Sequence, residues 1–277
     1  MRNANLLEAD GVHIVPKERC HDVWKILCGP DSDEKPKLQL YQDFLEGCLK
    51  GCDAPDIRQI VIFHPAILDG ILGTIRGGDI LPRIRFISRV YLKCIPQENL
   101  MFSAAVRSPS KFIPALYARR LSLGHLLKFE EFLHDINPEI MLWSSTWSRL
   151  IVPYKELHPD DAPVYVWRYE DYPGNWREVL SAITGHQSPE DFSKSDEPLA
   201  PEISLYGAAL FAHYIEDQSI KDKRARKEAF KLFRSDYPDD GTIIKDEIWT
   251  PELIQTLNDA YSDDWYFLEQ MDHVVTI

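Results

Sequence analysis

The sequence lacks any uninterrupted apolar run close to the roughly 20 residues that a helix needs to cross a bilayer. Its N-terminus also lacks the basic segment and apolar stretch of a secretory signal. It contains no internal repeat and no low-complexity tract. From these absences we expect a globular cytoplasmic protein without a membrane partner.

Cysteine is scarce, and its number is odd. The five cysteines are Cys20, Cys28, Cys48, Cys52 and Cys94. An odd set without a signal segment favours a reducing compartment over a disulfide framework. Cys48 and Cys52 are not followed by a His or Cys pair at zinc-finger spacing, and buried thiols are the common alternative. We therefore expect no metal. The sequence also lacks the His-Glu-x-x-His and Gly-x-Ser-x-Gly motifs of metalloproteases and serine hydrolases.

An excess of positive charge is likewise missing. The chain has 31 basic and 44 acidic residues, a net charge of −13. This balance argues against nucleic-acid binding, because affinity for nucleic acid depends on neutralising phosphates with Lys and Arg. The basic residues are unevenly distributed, since residues 76–128 hold ten of them against two acidic residues. This block is either a solvated basic surface or a pocket for a small anionic ligand.

The chain has ample apolar residues, 44% of its 277, and alternates strand and helix patterns. Short apolar and β-branched runs predict strands at 56–63, 99–106 and 163–167. Helices are predicted at 37–50, 66–75, 81–92, 109–123, 129–136, 138–152 and 176–184. The alternation predicts an α/β fold, a parallel sheet flanked by helices.

The C-terminal part shows only helical patterns, at 204–217, at 220–234 and in a long helix that begins with Thr250 as N-cap and Pro251 as first residue. Residues 187–201 are polar and proline-rich. We therefore predict an α/β core at 1–186, a linker at 187–201 and a helical extension at 202–277.

Two strand ends carry the residues of greatest chemical interest. Arg107 lies where a predicted strand runs directly into a helix that begins at Ser108 and Pro109. Ligands of open α/β sheets collect at the carboxyl ends of strands, and a helix N-terminus beside a guanidinium suits a phosphate. The alternative is that Arg107 pairs with a core carboxylate. The second strand end delivers Tyr169, whose flat ring is suited to packing beside a purine, and Glu170.

The motifs RSP at 107–109 and RYED at 168–171, the latter followed closely by WREVLSAITG, resemble the nucleotide-binding core of the sulfotransferase family, especially bacterial sulfotransferase-like proteins. The opening NANLLEADGVHIVP and the closing LNDAYSDDWYFLEQ are also similar to those relatives. The resemblance implies a P-loop-like sheet and sulfuryl transfer from 3′-phosphoadenosine-5′-phosphosulfate (PAPS) to a hydroxyl or amine. The acceptor would be a small molecule or a carbohydrate.

By this resemblance, Arg107 would bind the 3′-phosphate of the donor in a site that includes Ser108, Ser110 and Lys111, and Tyr169 would contact the adenine. His64, at the end of the first predicted strand, is the candidate base for the acceptor proton, although a lone histidine is more often structural.

The sequence departs from the family pattern, and one departure is His64-Pro65, where the relatives tend to carry serine and acidic residues. It also has no Lys-[ST]-Gly-Thr-type loop for the 5′-phosphosulfate, and Ala115 replaces an expected serine. Either the natural protein is longer and active, or the chain is a noncatalytic nucleotide-binding or interaction protein that keeps the fold. A glycosyl- or phosphoryl-transfer enzyme is a third hypothesis. Such an enzyme usually needs acidic metal ligands near the diphosphate, and the sequence has no Asp-x-Asp motif at a strand end.

Overall fold

The computed structural model describes residues 3–16, 18, 20, 34–50, 57–62, 75–76, 79–80, 101–134, 146–149, 151–152, 163–194, 202–239 and 249–277. Its named helices are α1 (Ala4–Ala9), α2 (Glu34–Lys50), α3 (Pro109–Ser122), α4 (Phe129–His134), α5 (Tyr172–Thr184), α6 (Leu205–Asp217), α7 (Lys223–Asp236) and α8 (Pro251–Glu269). Its strands are β1 (Val12–Ile14), β2 (Gln59–Val61), β3 (Ile75–Arg76), β4 (Asp79–Ile80), β5 (Phe102–Val106), β6 (Val164–Arg168) and β7 (Val274–Thr276).

The strands form small sheets flanked by helices, so the predicted α/β class with parallel strands is confirmed. β6 lies between β5 and β7, and all three are parallel. β1 and β2 form a separate parallel pair, and β3 and β4 an antiparallel one. Within the ranges given above, no helix is long and apolar enough to cross a membrane.

Local sequence accounts for several helix ends. The Thr250 hydroxyl accepts a hydrogen bond from the Leu253 amide at 3.2 Å, which confirms the predicted N-cap of α8. Ser204 and Asp222 cap α6 and α7 in the same way. Gly185 ends α5 with φ +69°, a left-handed conformation that glycine adopts without a Cβ penalty.

Two of the apolar clusters in the described part of the chain position the elements at the ends of β5 and β6. One packs helices α3, α4, α6, α7 and α8 against each other, with Tyr117, Phe132 and Phe211 fully buried. The other joins the sheet to α8 through Val106, Val166 and neighbouring side chains. The helical part and the sheet therefore share α8, which positions its polar side chains near the ends of β5 and β6.

The C-terminal part is not wholly helical, contrary to prediction. Residues 274–276 form β7, which pairs with β6 from Val164↔Val274 to Val166↔Thr276. A run of only three β-branched residues has no detectable periodicity, so its pairing with a distant strand decides its structure. The predicted linker is not purely a connection either, because Phe192 is 1% exposed and packs with Leu7 and Trp176.

Two predicted helices also need correction. Ile75 does not end a helix but lies in β3, paired with β4, and the two residues between these strands in the sequence are glycines, as in tight hairpin connections. The helix predicted at 138–152 is not continuous, because Thr146 and Trp147 are not helical. The Asp264 carboxylate of α8 accepts the amides of Trp147 at 2.5 Å and Ser148 at 3.2 Å, and so supplies an N-terminal cap from 116 residues away.

Candidate functional site: the carboxyl ends of β5 and β6

Two neighbouring parallel strands deliver their following residues to one edge of the sheet. Val106 and Arg168 face each other at the ends of β5 and β6. The Tyr169 amide donates to the Val106 carbonyl at 2.7 Å, which keeps the two chains paired for one more residue. Arg107 and Tyr169 therefore leave the sheet side by side.

The structure brings the side chains of Arg107 and Tyr169 together. The guanidinium carbon of Arg107 lies 4.7 Å from the ring centroid of Tyr169, within the range of a cation–π interaction. The Tyr169 residue is 44% exposed, so part of its ring remains accessible. The Trp147 indole N–H donates to the Arg107 carbonyl at 2.7 Å and holds the backbone at the strand end.

A carboxylate occupies the outer edge of the same guanidinium. Glu202 accepts two hydrogen bonds from Arg107, at 3.1 Å from Nη1 to Oε1 and at 2.8 Å from Nη2 to Oε2. This is the carboxylate pairing that the sequence left open as the alternative to a phosphate. The Glu202 side chain is 44% exposed and that of Arg107 only 18%. Burial lowers the pKa of Arg107, but the bonds to Glu202 outweigh it, and the pKa lies above its ordinary value.

A second carboxylate meets the start of α3. Glu170 Oε1 accepts the Ser108 amide at 2.8 Å, and the Tyr261 hydroxyl donates to Glu170 Oε2 at 3.2 Å. Burial and the nearby Glu170 charge raise the pKa of Tyr261, which remains a neutral donor. The helix start thus already has an anion that belongs to the protein.

The hydroxyl groups of the expected phosphate site face α8. Ser108 and Ser110 are each 7% exposed, and their Oγ atoms lie 2.9 Å apart. Both hydroxyls donate to Asn258 Oδ1, at 2.8 and 2.7 Å respectively. Lys111 is exposed on α3. The structure therefore places Ser108 and Ser110 in a buried polar cluster beside Arg107 and leaves Lys111 on the surface.

His64, the candidate base, lies outside the described residues. Sequence reasoning did not find Glu202, Asn258 and Tyr261, which complete the surroundings of Arg107. They come from segments more than 90 residues farther along the chain. The acidic side chain of Glu202, just beyond the proline-rich stretch, was the only sequence feature available, and no motif connects it to Arg107.

Comparisons of the chain with protein-family profiles, with curated proteins and with solved structures find no match. In the portion of the chain that the structure describes, no three His, Cys, Asp or Glu side chains are grouped so that they could hold a metal ion.

Proposed function

We propose that the protein is sulfotransferase-like and binds the adenosine 3′,5′-bisphosphate part of PAPS at the carboxyl ends of β5 and β6. The observation that carries this proposal is the 4.7 Å stacking of the Arg107 guanidinium on the half-exposed ring of Tyr169. A phosphate needs a fixed cation and an adenine needs a flat apolar surface. These two residues offer both at one sheet edge.

The contact of Arg107 with Glu202 has a geometry that a phosphate could share. A guanidinium that binds one carboxylate through two parallel hydrogen bonds offers the same two donors to two phosphate oxygens. Glu202 and the 3′-phosphate would then compete for Arg107. Because Glu202 is partly exposed, its side chain can swing into water when the nucleotide enters.

The same proposal includes sulfuryl transfer from PAPS and a P-loop-like arrangement of the sheet. An acceptor oxygen or nitrogen would attack the sulfur of PAPS, the bond from sulfur to the phosphate oxygen would break, and adenosine 3′,5′-bisphosphate would leave. His64 would take the proton of the acceptor, which would be a small molecule or a carbohydrate. A lysine-bearing loop would be needed to stabilise the charge that develops on the leaving oxygen.

A noncatalytic binding protein of the same fold is the second candidate. It is favoured by the donors that are already paired within the chain: the Ser108 amide with Glu170, and the Ser108 and Ser110 hydroxyls with Asn258. A site whose hydrogen-bond donors are already satisfied within the chain is better suited to weak or regulated ligand binding than to catalytic turnover.

Isothermal titration with adenosine 3′,5′-bisphosphate tests the binding step. Arg107→Ala should weaken binding by about tenfold or more, because it removes a charge-assisted bidentate contact. Glu202→Gln should strengthen binding several-fold, because it removes the competing charge and keeps the shape. Arg119→Ala, near the other end of α3, is the matched control and should bind like the parent.

The results separate the candidates. The absence of binding in both the parent chain and Glu202→Gln, or binding that Arg107→Ala leaves unchanged, contradicts the proposal. Binding together with transfer of labelled sulfate from PAPS to an acceptor mixture supports the enzyme. Binding without transfer supports the noncatalytic protein.

A further inference from the structure

A second group of cations lies at the far end of α3, where the chain turns and meets the start of α7. Gly124 has φ +83°, and a Cβ atom there would lie only 2.6 Å from Lys223 Cγ and 3.0 Å from the Lys223 carbonyl oxygen. The Arg226 guanidinium donates from Nη1 to the Gly124 carbonyl at 3.2 Å and from Nε to the Ile220 carbonyl at 2.7 Å. The turn and the first residues of α7 are therefore fixed to each other.

This contact places cations from two helices around His125, in what we call the α3–α7 basic cluster: Arg120, His125, Lys223, Arg226 and Lys227. Lys223 and Lys227 are four residues apart on α7 and exposed on one helix face. The guanidinium of Arg120 lies 5.6 Å from the Phe132 ring, and the His125 amide donates to the Arg120 carbonyl at 3.2 Å.

Acidic side chains near the cluster have other partners. Asp222 accepts the Ala225 amide at 2.6 Å as the cap of α7, and Glu216 pairs with Lys128 at 3.2 Å. Burial and then the charges of Lys223, Arg120, Arg226 and Lys227 lower the pKa of His125. Arg120, Lys223, Arg226 and Lys227 thus bring four positive charges together in a protein with a net charge of −13.

We propose that the α3–α7 basic cluster is a binding site for a compact multivalent phosphate, with inorganic tripolyphosphate as its simplest representative. The end of α3 and the start of α7 meet at Gly124, so cations of both helices lie near one turn and match a short, highly charged ligand. The acidic remainder of the surface repels an extended polyanion such as nucleic acid. Guanidinium and ammonium groups together supply both directional and point-charge contacts to phosphate oxygens.

The site is separate from the one at Arg107. Arg107 precedes α3 and His125 follows it, so the 14 residues of the helix place them roughly 20 Å apart along its axis. The inference does not depend on nucleotide binding.

Titration calorimetry with tripolyphosphate at low and moderate salt tests the proposal. The Lys223→Gln/Lys227→Gln double variant should bind about tenfold more weakly or worse, since two phosphate contacts are lost. The double variant keeps the Cγ that packs on Gly124, so the turn is preserved. Lys231→Gln/Arg234→Gln removes the same charge from the end of α7 and should change the affinity less than twofold.

The pH dependence provides an independent readout. A bound phosphate stabilises protonated His125, so binding should take up a proton, and affinity should rise on acidification more in the parent chain than in His125→Gln. The pH dependence that remains in His125→Gln comes from titration of the phosphate groups of the ligand.

The inference would be overturned by no binding by the parent chain, by equal losses in the two double variants, or by tighter binding of a hexaglutamate peptide. Binding that Arg107→Ala abolishes would assign the ligand to the other site and overturn the inference as well.

Discussion

At the scale of single residues, His186 is a buried imidazole that lies between two carboxylates. It is 8% exposed, its Nδ1 forms a short contact with Asp10 Oδ2, and its Nε2 lies 3.3 Å from Asp191 Oδ2. Its ring also packs on Phe192, with centroids 4.9 Å apart. The hydrogen bond to Asp10 raises the pKa of His186, and burial opposes this effect only in part.

This environment makes stability depend on pH. Because the folded-state pKa of His186 lies above its unfolded value near 6.5, the imidazolium stabilises the fold below that pH and loses this effect as pH rises through the folded pKa. Asp10→Asn should therefore destabilise the protein by about 1 kcal/mol more near pH 5.5 than near pH 9. Urea unfolding at both pH values measures the difference. Equal destabilisation at the two pH values would contradict this account.

At the scale of elements, two glycines occupy the same helix position in different surroundings. Gly174 is the third residue of α5, and Gly207 is the third residue of α6. A Cβ at Gly174 would meet no atom within 4 Å, whereas one at Gly207 would lie 2.4 Å from Tyr237 Cβ and 3.0 Å from Ile203 Cγ1. Helix propensity alone would favour alanine at both.

The two substitutions should therefore have opposite signs. Gly174→Ala should be neutral or stabilise by up to about 1 kcal/mol, because alanine loses less backbone entropy. Gly207→Ala should destabilise by roughly 1–3 kcal/mol, because α6 must move away from the end of α7. Chemical denaturation of the two variants tests this pair. A stabilised Gly207→Ala would show that α6 and Tyr237 leave room for a Cβ atom at position 207.

At the scale of the whole molecule, residues 273–277 add a third strand to the sheet of β5 and β6. The Ile277 amide donates to the Val166 carbonyl at 3.0 Å, and the Val164 amide donates to the His273 carbonyl at 2.9 Å. Asn175 of α5 donates to the Ile277 carbonyl at 3.1 Å. The last residues therefore tie β6 and α5 together, although they lie about a hundred residues away in sequence.

A matched pair of substitutions tests this role of β7. Val274 is partly buried against the core of the sheet, whereas Val275 is 41% exposed. Val274→Thr should destabilise by about 1 kcal/mol, because it places a hydroxyl against apolar side chains. Val275→Thr keeps the β-branched shape at a solvated position and should change stability by less than about 0.5 kcal/mol. Equal effects in thermal or urea unfolding would mean that β7 does not pack as described.

Much of the candidate site was predictable from the polar residues that directly follow two short strands in the sequence. Arg107 and Tyr169 each follow a short apolar strand, and adjacent parallel strands bring their ends together. Their partners were not predictable. Glu202 and Asn258 reach the site from segments whose position depends on how the C-terminal helices pack, and a local pattern carries no information about that packing.

The sequence by itself determined the α/β class, the strands predicted at 99–106 and 163–167, which form as β5 and β6, and the helix caps at Thr250 and Gly185. Each of these depends on the chemistry of a few neighbouring residues. Only the tertiary structure decided that residues 274–276 form a strand, that Asp264 caps the helical segment after Trp147, and that Glu202 pairs with Arg107. In each of these cases, the stabilising partner lies far away in the chain.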